Sequence, residues 1–177
     1  MQIKNQHMKK HHGMRPHDIV VLLKIAAKKE EPWLMKDLAR ELHISPGEIS
    51  ESLERSVFAG LLAADKKHLM NGALLEFLQY GLKYAFPQKP GPLVRGMATA
   101  HSADPLNALI QSSEAVVWPW AEGTARGQAV EPLHSSAPQA CKEDQALYAL
   151  LALTDALRIG KAREQQLAID TLKKMLV

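Results

Sequence analysis

The sequence predicts a mainly α-helical chain, with four short helices and a small hairpin in its first ninety residues, an irregular proline-rich segment in the middle, and two helices at its end. Three observations carry this prediction. Apolar residues recur at i, i+3, i+4, i+7 in three successive windows between residues 16 and 59. Seven prolines, at 87, 90, 92, 105, 119, 132 and 138, interrupt the middle, and no long regular element fits there. The last forty residues return to a leucine-rich helical pattern.

Residues 1–14 carry His7, His11, His12 and three lysines without apolar periodicity, and they predict a disordered arm. Met8 and Met14 each offer an alternative first residue, and a basic arm touching phosphates is the competing reading. Pro16 suits a first helical turn, and Ile19, Leu22, Leu23 and Ala26 predict helix one over 16–29. Met35, Leu38, Ala39 and Leu42 predict helix two over 34–42. Ser45-Pro46-Gly47-Glu48 has the Ser-x-x-Glu form of a capping box, and with Ile49, Leu53 and Val57 it predicts helix three over 46–59, ended by Gly60. Leu61 to Ala64 and His68 to Met70, around Asp65-Lys66-Lys67, predict two short strands and a tight turn. Leu74, Leu75, Leu78, Leu82 and Ala85 predict a fourth helix over 71–85 with Asn71 as its cap.

The segment 87–138 is too apolar for a solvated tether, with Leu93, Val94, Leu106, Leu109, Ile110, Val116, Val117, Trp118 and Trp120. It is expected to wrap in an extended, ordered path, with a helical turn or two near 105–112. Trp118-Pro119-Trp120 is expected to anchor this path to the core, with ligand stacking as the other reading. A strongly apolar helix over 140–157 and an amphipathic helix over 161–176 follow, separated near Gly160. Leu147, Leu150 and Leu151, with Arg158, are the candidate partner-binding residues, and a homodimer is the economical arrangement. Asp155, Arg158, Lys161, Arg163 and Glu164 are expected to form a solvated charged face. The expected division is therefore an arm at 1–14, a domain at 15–86, a wrapping segment at 87–138, and a helical region at 139–177 for dimerisation or partner binding.

The stretch from Met35 to Leu53, continued to Leu62, resembles the winged helix-turn-helix of MarR-like bacterial regulators, over roughly residues 16–86. Two short helices meet at a tight turn, Ala39 permits close crossing, and the second helix presents a polar face. The resemblance implies a DNA-binding transcriptional regulator, acting as a repressor in which this helix enters the major groove and the hairpin forms the wing. Carried to matching positions, the DNA-binding candidates are Ser45, Pro46, Gly47, Ser50, Glu51, Glu54 and Arg55 on the helix, and Lys66, Lys67 and His68 on the wing. The helix departs from the usual composition, because Glu48, Glu51 and Glu54 outnumber its one base, Arg55. Glu48 belongs to the cap, whereas Glu51 and Glu54 either accept from cytosine amino groups or repel phosphates. An antitoxin-like autoregulator, whose C-terminal half grips a toxin-like protein, is a variant of this reading. The alternative from another class is a winged-helix adaptor that binds protein and not DNA.

Composition narrows the rest. The formal charge is +3, and residues 1–90 hold 14 Lys/Arg against 10 Asp/Glu, so the basic excess lies where a phosphate-binding surface is expected. No run approaches the roughly 18 apolar residues that span a bilayer, no secretory signal is present, and a cytoplasmic location is expected. Cys141 is alone, which leaves no internal disulfide, and no Cys/His grouping has zinc spacing. No phosphate loop, nucleophile elbow or metalloprotease motif occurs, so neither an enzyme nor a cofactor is expected. His101, Asp104 and His134 are expected to be structural.

Overall fold

In the computed structural model, residues 12–177 are described, and most of the expected arm lies outside them. The N-terminal half is built from three helices, α1 (Pro16–Lys28), α2 (Met35–Leu42) and α3 (Pro46–Phe58). An acidic residue in the first turn closes two of them in the same way. Asp18 accepts from the Arg15 backbone N–H at 2.7 Å, and Asp37 accepts from that of Leu34 at 2.9 Å. At α3, Ser45 accepts the Glu48 N–H at 3.2 Å and donates its hydroxyl to the Glu48 carboxylate at 2.9 Å, so the predicted capping box is present in rearranged form. His43 takes the left-handed conformation at the α2–α3 turn, and Gly60, at φ +77°, ends α3 as expected.

Helix α1 differs from the one-sided helix that its periodicity suggests. Ile19, Val20, Val21, Leu22 and Leu23 are all fully buried, because α1 packs against α2, α3 and α7 at once. The predicted pair of strands after α3 reduces to a single bridge between Leu62 and Leu69. Backbone bonds from Ala63 to His68 and from Met70 to Leu61 still close the hairpin, and the poor strand propensity of Ala63 and Ala64 accounts for its shortness. Helix α4 (Asn71–Glu76) passes through one π turn (Phe77–Gly81) into α5 (Leu82–Ala85), which covers the predicted fourth helix. Met70, not Asn71, holds its N-cap position, and no side chain caps it.

The middle segment is ordered, with 3₁₀ turns at Ala100–Ser102 and Leu106–Ala108, and it contains three strands where an irregular path was expected. Strand β1 (Leu93–Ala98) runs antiparallel to both β2 (Val116–Pro119) and β3 (Ala125–Ala129), while β2 and β3 pair in parallel, so the three strands close on one another. Closure demands a very close approach: a Cβ on Gly96 would lie 1.9 Å from the Trp118 carbonyl oxygen, and one on Gly123 would lie 2.1 Å from that of Gly96.

The predicted 140–157 helix is divided into α6 (Ala137–Lys142) and α7 (Gln145–Ile159), because Asp144 caps a new start by accepting from the Leu147 N–H at 2.9 Å. Gly160 then separates α7 from α8 (Ala162–Leu176). Helix α7 is the second central helix, packed on α1, α5, α6 and α8. Leu147, Leu150 and Leu151 are at most 2% exposed and belong to one continuous apolar cluster running from Ile19 to Leu176. The expectation that they face a partner is therefore corrected: their burial is spent within the chain. Arg158 is also turned inward, donating to Asp155 at 2.8 Å and to the carbonyls of Phe86 and Glu131 at 3.1 Å. Asp155 is 1% exposed, so the expected solvated face is at this point a buried network. Trp118 is the expected anchor, donating its indole N–H to Asp155 at 2.6 Å, and Thr99 donates to the same oxygen at 2.8 Å. Among the described residues, no helix is long and apolar enough to cross a membrane.

Candidate nucleic-acid interface

The site is built on α3, whose apolar side (Ile49, Leu53) is buried and whose Ser45, Pro46, Gly47, Glu48, Glu51 and Glu54 are exposed, with Ser50 half-buried. The turn from α2 and the Ser45 cap fix where this helix begins, and a Cβ at Gly47 would meet nothing within 4 Å. Its first turn is thus open to a partner.

Arg55 does not share this exposure. Its side chain is 7% exposed, and it grips Asp18, itself fully buried, through Nε to Oδ2 at 2.9 Å and Nη2 to Oδ1 at 2.8 Å. A residue expected to read bases is instead the bidentate tie between α1 and α3. Its Nη2 also lies 3.1 Å from His17 Nε2, and Glu51 is 3.6 Å from its Nη1. The hairpin is likewise partly occupied. Lys67 lies over the Trp33 ring at 3.8 Å and donates to the Trp33 carbonyl at 2.7 Å, and the exposed His68 pairs with Asp65, so both expected wing residues are engaged within the chain. Asp65 also accepts from the backbone N–H groups of Lys67 and His68, and this holds its carboxyl down at about 2. Lys66, with φ +59° at the tip, extends back toward Glu54 at 3.9 Å.

These residues enclose an open cleft of about 410 Å³ lined by His12, Arg15, Glu51, Glu54, Phe58 and Lys66. His12 stacks on Phe58 with centroids 4.5 Å apart. Each carboxylate on the outer face of α3 is engaged from within the chain: Glu48 by Ser45, Glu51 by Arg55 and Glu54 by Lys66. Their repulsion of an anionic partner is correspondingly reduced. Sequence reasoning passed over three exposed cations, Arg15, Lys36 and Arg40. The signal for two of them was present, because Lys36 and Arg40 sit i, i+4 on α2, away from the buried Leu38 and Leu42.

His17 and His134 meet edge to face behind this surface with centroids 5.8 Å apart. Burial pushes both imidazoles below their ordinary pKa, with the Arg55 charge adding to the effect at His17. A lowered folded-state pKa means that the unfolded chain binds more protons below about pH 6.5, so stability falls as the pH drops through that value. Thermal unfolding at pH 5.5 is expected to occur at a lower Tm than at pH 7.5, with part of the difference removed in His17→Gln.

His101 bonds the Glu114 carbonyl and His134 bonds Ser136, and among the described residues no His, Cys, Asp and Glu side chains converge as a metal site requires. No family model, curated protein or solved structure matches this chain.

Proposed function

We propose that residues 15–86 form a winged helix-turn-helix and that the protein is a DNA-binding transcriptional regulator, with α3 in the major groove and the Lys66 turn beside the flanking phosphates. The observation that carries this reading is the open first turn of α3, Ser45 to Ser50. It is held out by the left-handed His43 turn and a capped start, and flanked by Lys36 and Arg40 before it and Arg15 and Lys66 along it. Ser45, Gly47 and Ser50 are then the groove-facing positions, with Glu51 placed to accept from a cytosine amino group. Lys67 and His68 support the shape of the wing, and Arg55 supports the α1–α3 angle.

A homodimer on a palindromic operator remains part of the proposal, but its interface has to lie away from α7, whose leucines are consumed internally. Tyr80 and Tyr84, exposed one turn apart, are the available aromatic pair. An antitoxin-like role adds a toxin-like partner. The adaptor alternative draws on the same exposed glutamates and on Phe58, 70% exposed beside them.

Binding to duplexes enriched from a random library is the test. Affinity is expected to fall linearly on a logarithmic salt scale, and the Arg15→Ala, Lys36→Ala, Lys66→Ala triple variant is expected to lower the slope by about 3, close to 0.9 per lost phosphate contact. If no duplex binds below micromolar concentration at low salt, the adaptor reading replaces this one.

A further inference from the structure

We propose that the outer face of the β1–β3 sheet docks an acidic segment of a partner protein, gripped by Arg95 and Arg126. These two residues are direct register partners on β1 and β3, and both are exposed. The Arg95 carbonyl accepts the Trp120 backbone N–H at 3.2 Å on the β2 side. Toward β3 the Arg95–Arg126 pair is therefore of the non-hydrogen-bonded type, in which opposed side chains come closest. Like charges in that position repel, and no carboxylate of the described residues lies within ion-pair distance of either. The sheet keeps this repulsion in a unit so tightly closed that Gly96 and Gly123 admit no Cβ.

A carboxylate is the chemistry that relieves it, since each planar guanidinium offers two parallel donors to a pair of carboxylate oxygens. The surroundings favour a peptide over a nucleic acid. Leu93, two residues before Arg95 on the same face, is 61% exposed, with Gln128 opposite it and half-buried Trp120 beside Arg95. This mixture of apolar contact and two cations suits a segment alternating acidic and apolar side chains, whereas a duplex needs a longer run of positive charge. Because the three strands close on one another, the partner is held by side chains and not as an added strand. The sheet is tied to α7 through the Trp118–Asp155 and Tyr148–Ala98 hydrogen bonds while α3 packs against α1 and α2, so this surface is separate from the candidate DNA face and the proposal stands whether or not α3 binds DNA.

The test titrates the full chain and an Arg95→Gln, Arg126→Gln double variant into a fluorescein-labelled synthetic peptide alternating Glu and Leu, its Lys-for-Glu counterpart, and a generic DNA duplex. The acidic peptide alone is expected to bind the parent, with a loss of about tenfold or more in the variant. The variant is also expected to melt at the parent's Tm or up to about 4 °C above it, because the opposed charges are gone. Three results overturn the proposal: no binding of the acidic peptide up to millimolar concentration, equal binding of both peptides or by both proteins, or a variant that loses duplex and not peptide affinity. A variant that melts below the parent overturns the claim that the pair is held against its own repulsion.

Discussion

Asp155→Ala is expected to cost about 5 kcal/mol, a large share of the total stability of a domain of this kind. Asp155 is a single buried carboxylate that joins three parts of the chain: Thr99 after β1, Trp118 on β2, and Arg158 one turn along α7. Its removal strands a guanidinium whose side chain is 5% exposed and leaves two further buried donors, the Trp118 indole and the Thr99 hydroxyl, without their acceptor. Urea unfolding should show the loss as a lowered midpoint. Asp155→Asn retains an acceptor for Trp118 and Thr99 and should lose less. Replacing Asp155 and Arg158 together by Leu and Met should recover part of the loss, because no unpaired charge remains inside.

The second large effect is expected at Arg55. Arg55→Ala leaves the fully buried Asp18 carboxylate with the Arg15 backbone N–H and the His17 ring at 3.6 Å but no fixed counter-ion, and should cost about 3–5 kcal/mol. This separates two roles that the sequence could not distinguish. A base-reading arginine lowers DNA affinity when truncated and leaves Tm in place, whereas the tie between α1 and α3 lowers Tm by roughly 10 °C for a chain of this size. Asp18→Ala should destabilise by a similar amount although it faces no partner, and the two losses should not add, since both break one pair.

The difference between these residues and those read correctly is one of distance along the chain. Helix α3 was legible because its signals are local: Ser45 with Glu48 at its start, Gly60 at its end, and apolar residues at helical spacing between them. The burial of Arg55 depends on an acid 37 positions away, which at the sequence level serves as the first-turn carboxylate of α1. Lys67 was legible as a turn residue, but nothing in its neighbourhood signals that Trp33 lies beneath it. The apolar circumference of α7 correctly indicated burial on more than one side, without indicating that α1, α5 and α8 supply those sides. Strands β1 and β3 were illegible because Gly and Ala are weak strand formers, while the Val116-Val117-Trp118 strand signal of β2 is only three residues long and is cut off by Pro119. They persist here through mutual closure and the hold of Trp118 on Asp155, both tertiary effects.

A cross-linker at the first turn of α3 tests most directly whether that turn meets DNA. Gly47→Cys is suited to the purpose, because added atoms meet nothing there, and the native Cys141 is buried with its thiol pKa pushed up. With a photoactivatable group on this cysteine, the protein is expected to cross-link to a bound duplex at defined base positions, while the same group at Glu122→Cys, beside the sheet, yields little. Equal cross-linking from both positions, or none from Gly47→Cys while the duplex is bound, would contradict the placement of α3 in the groove.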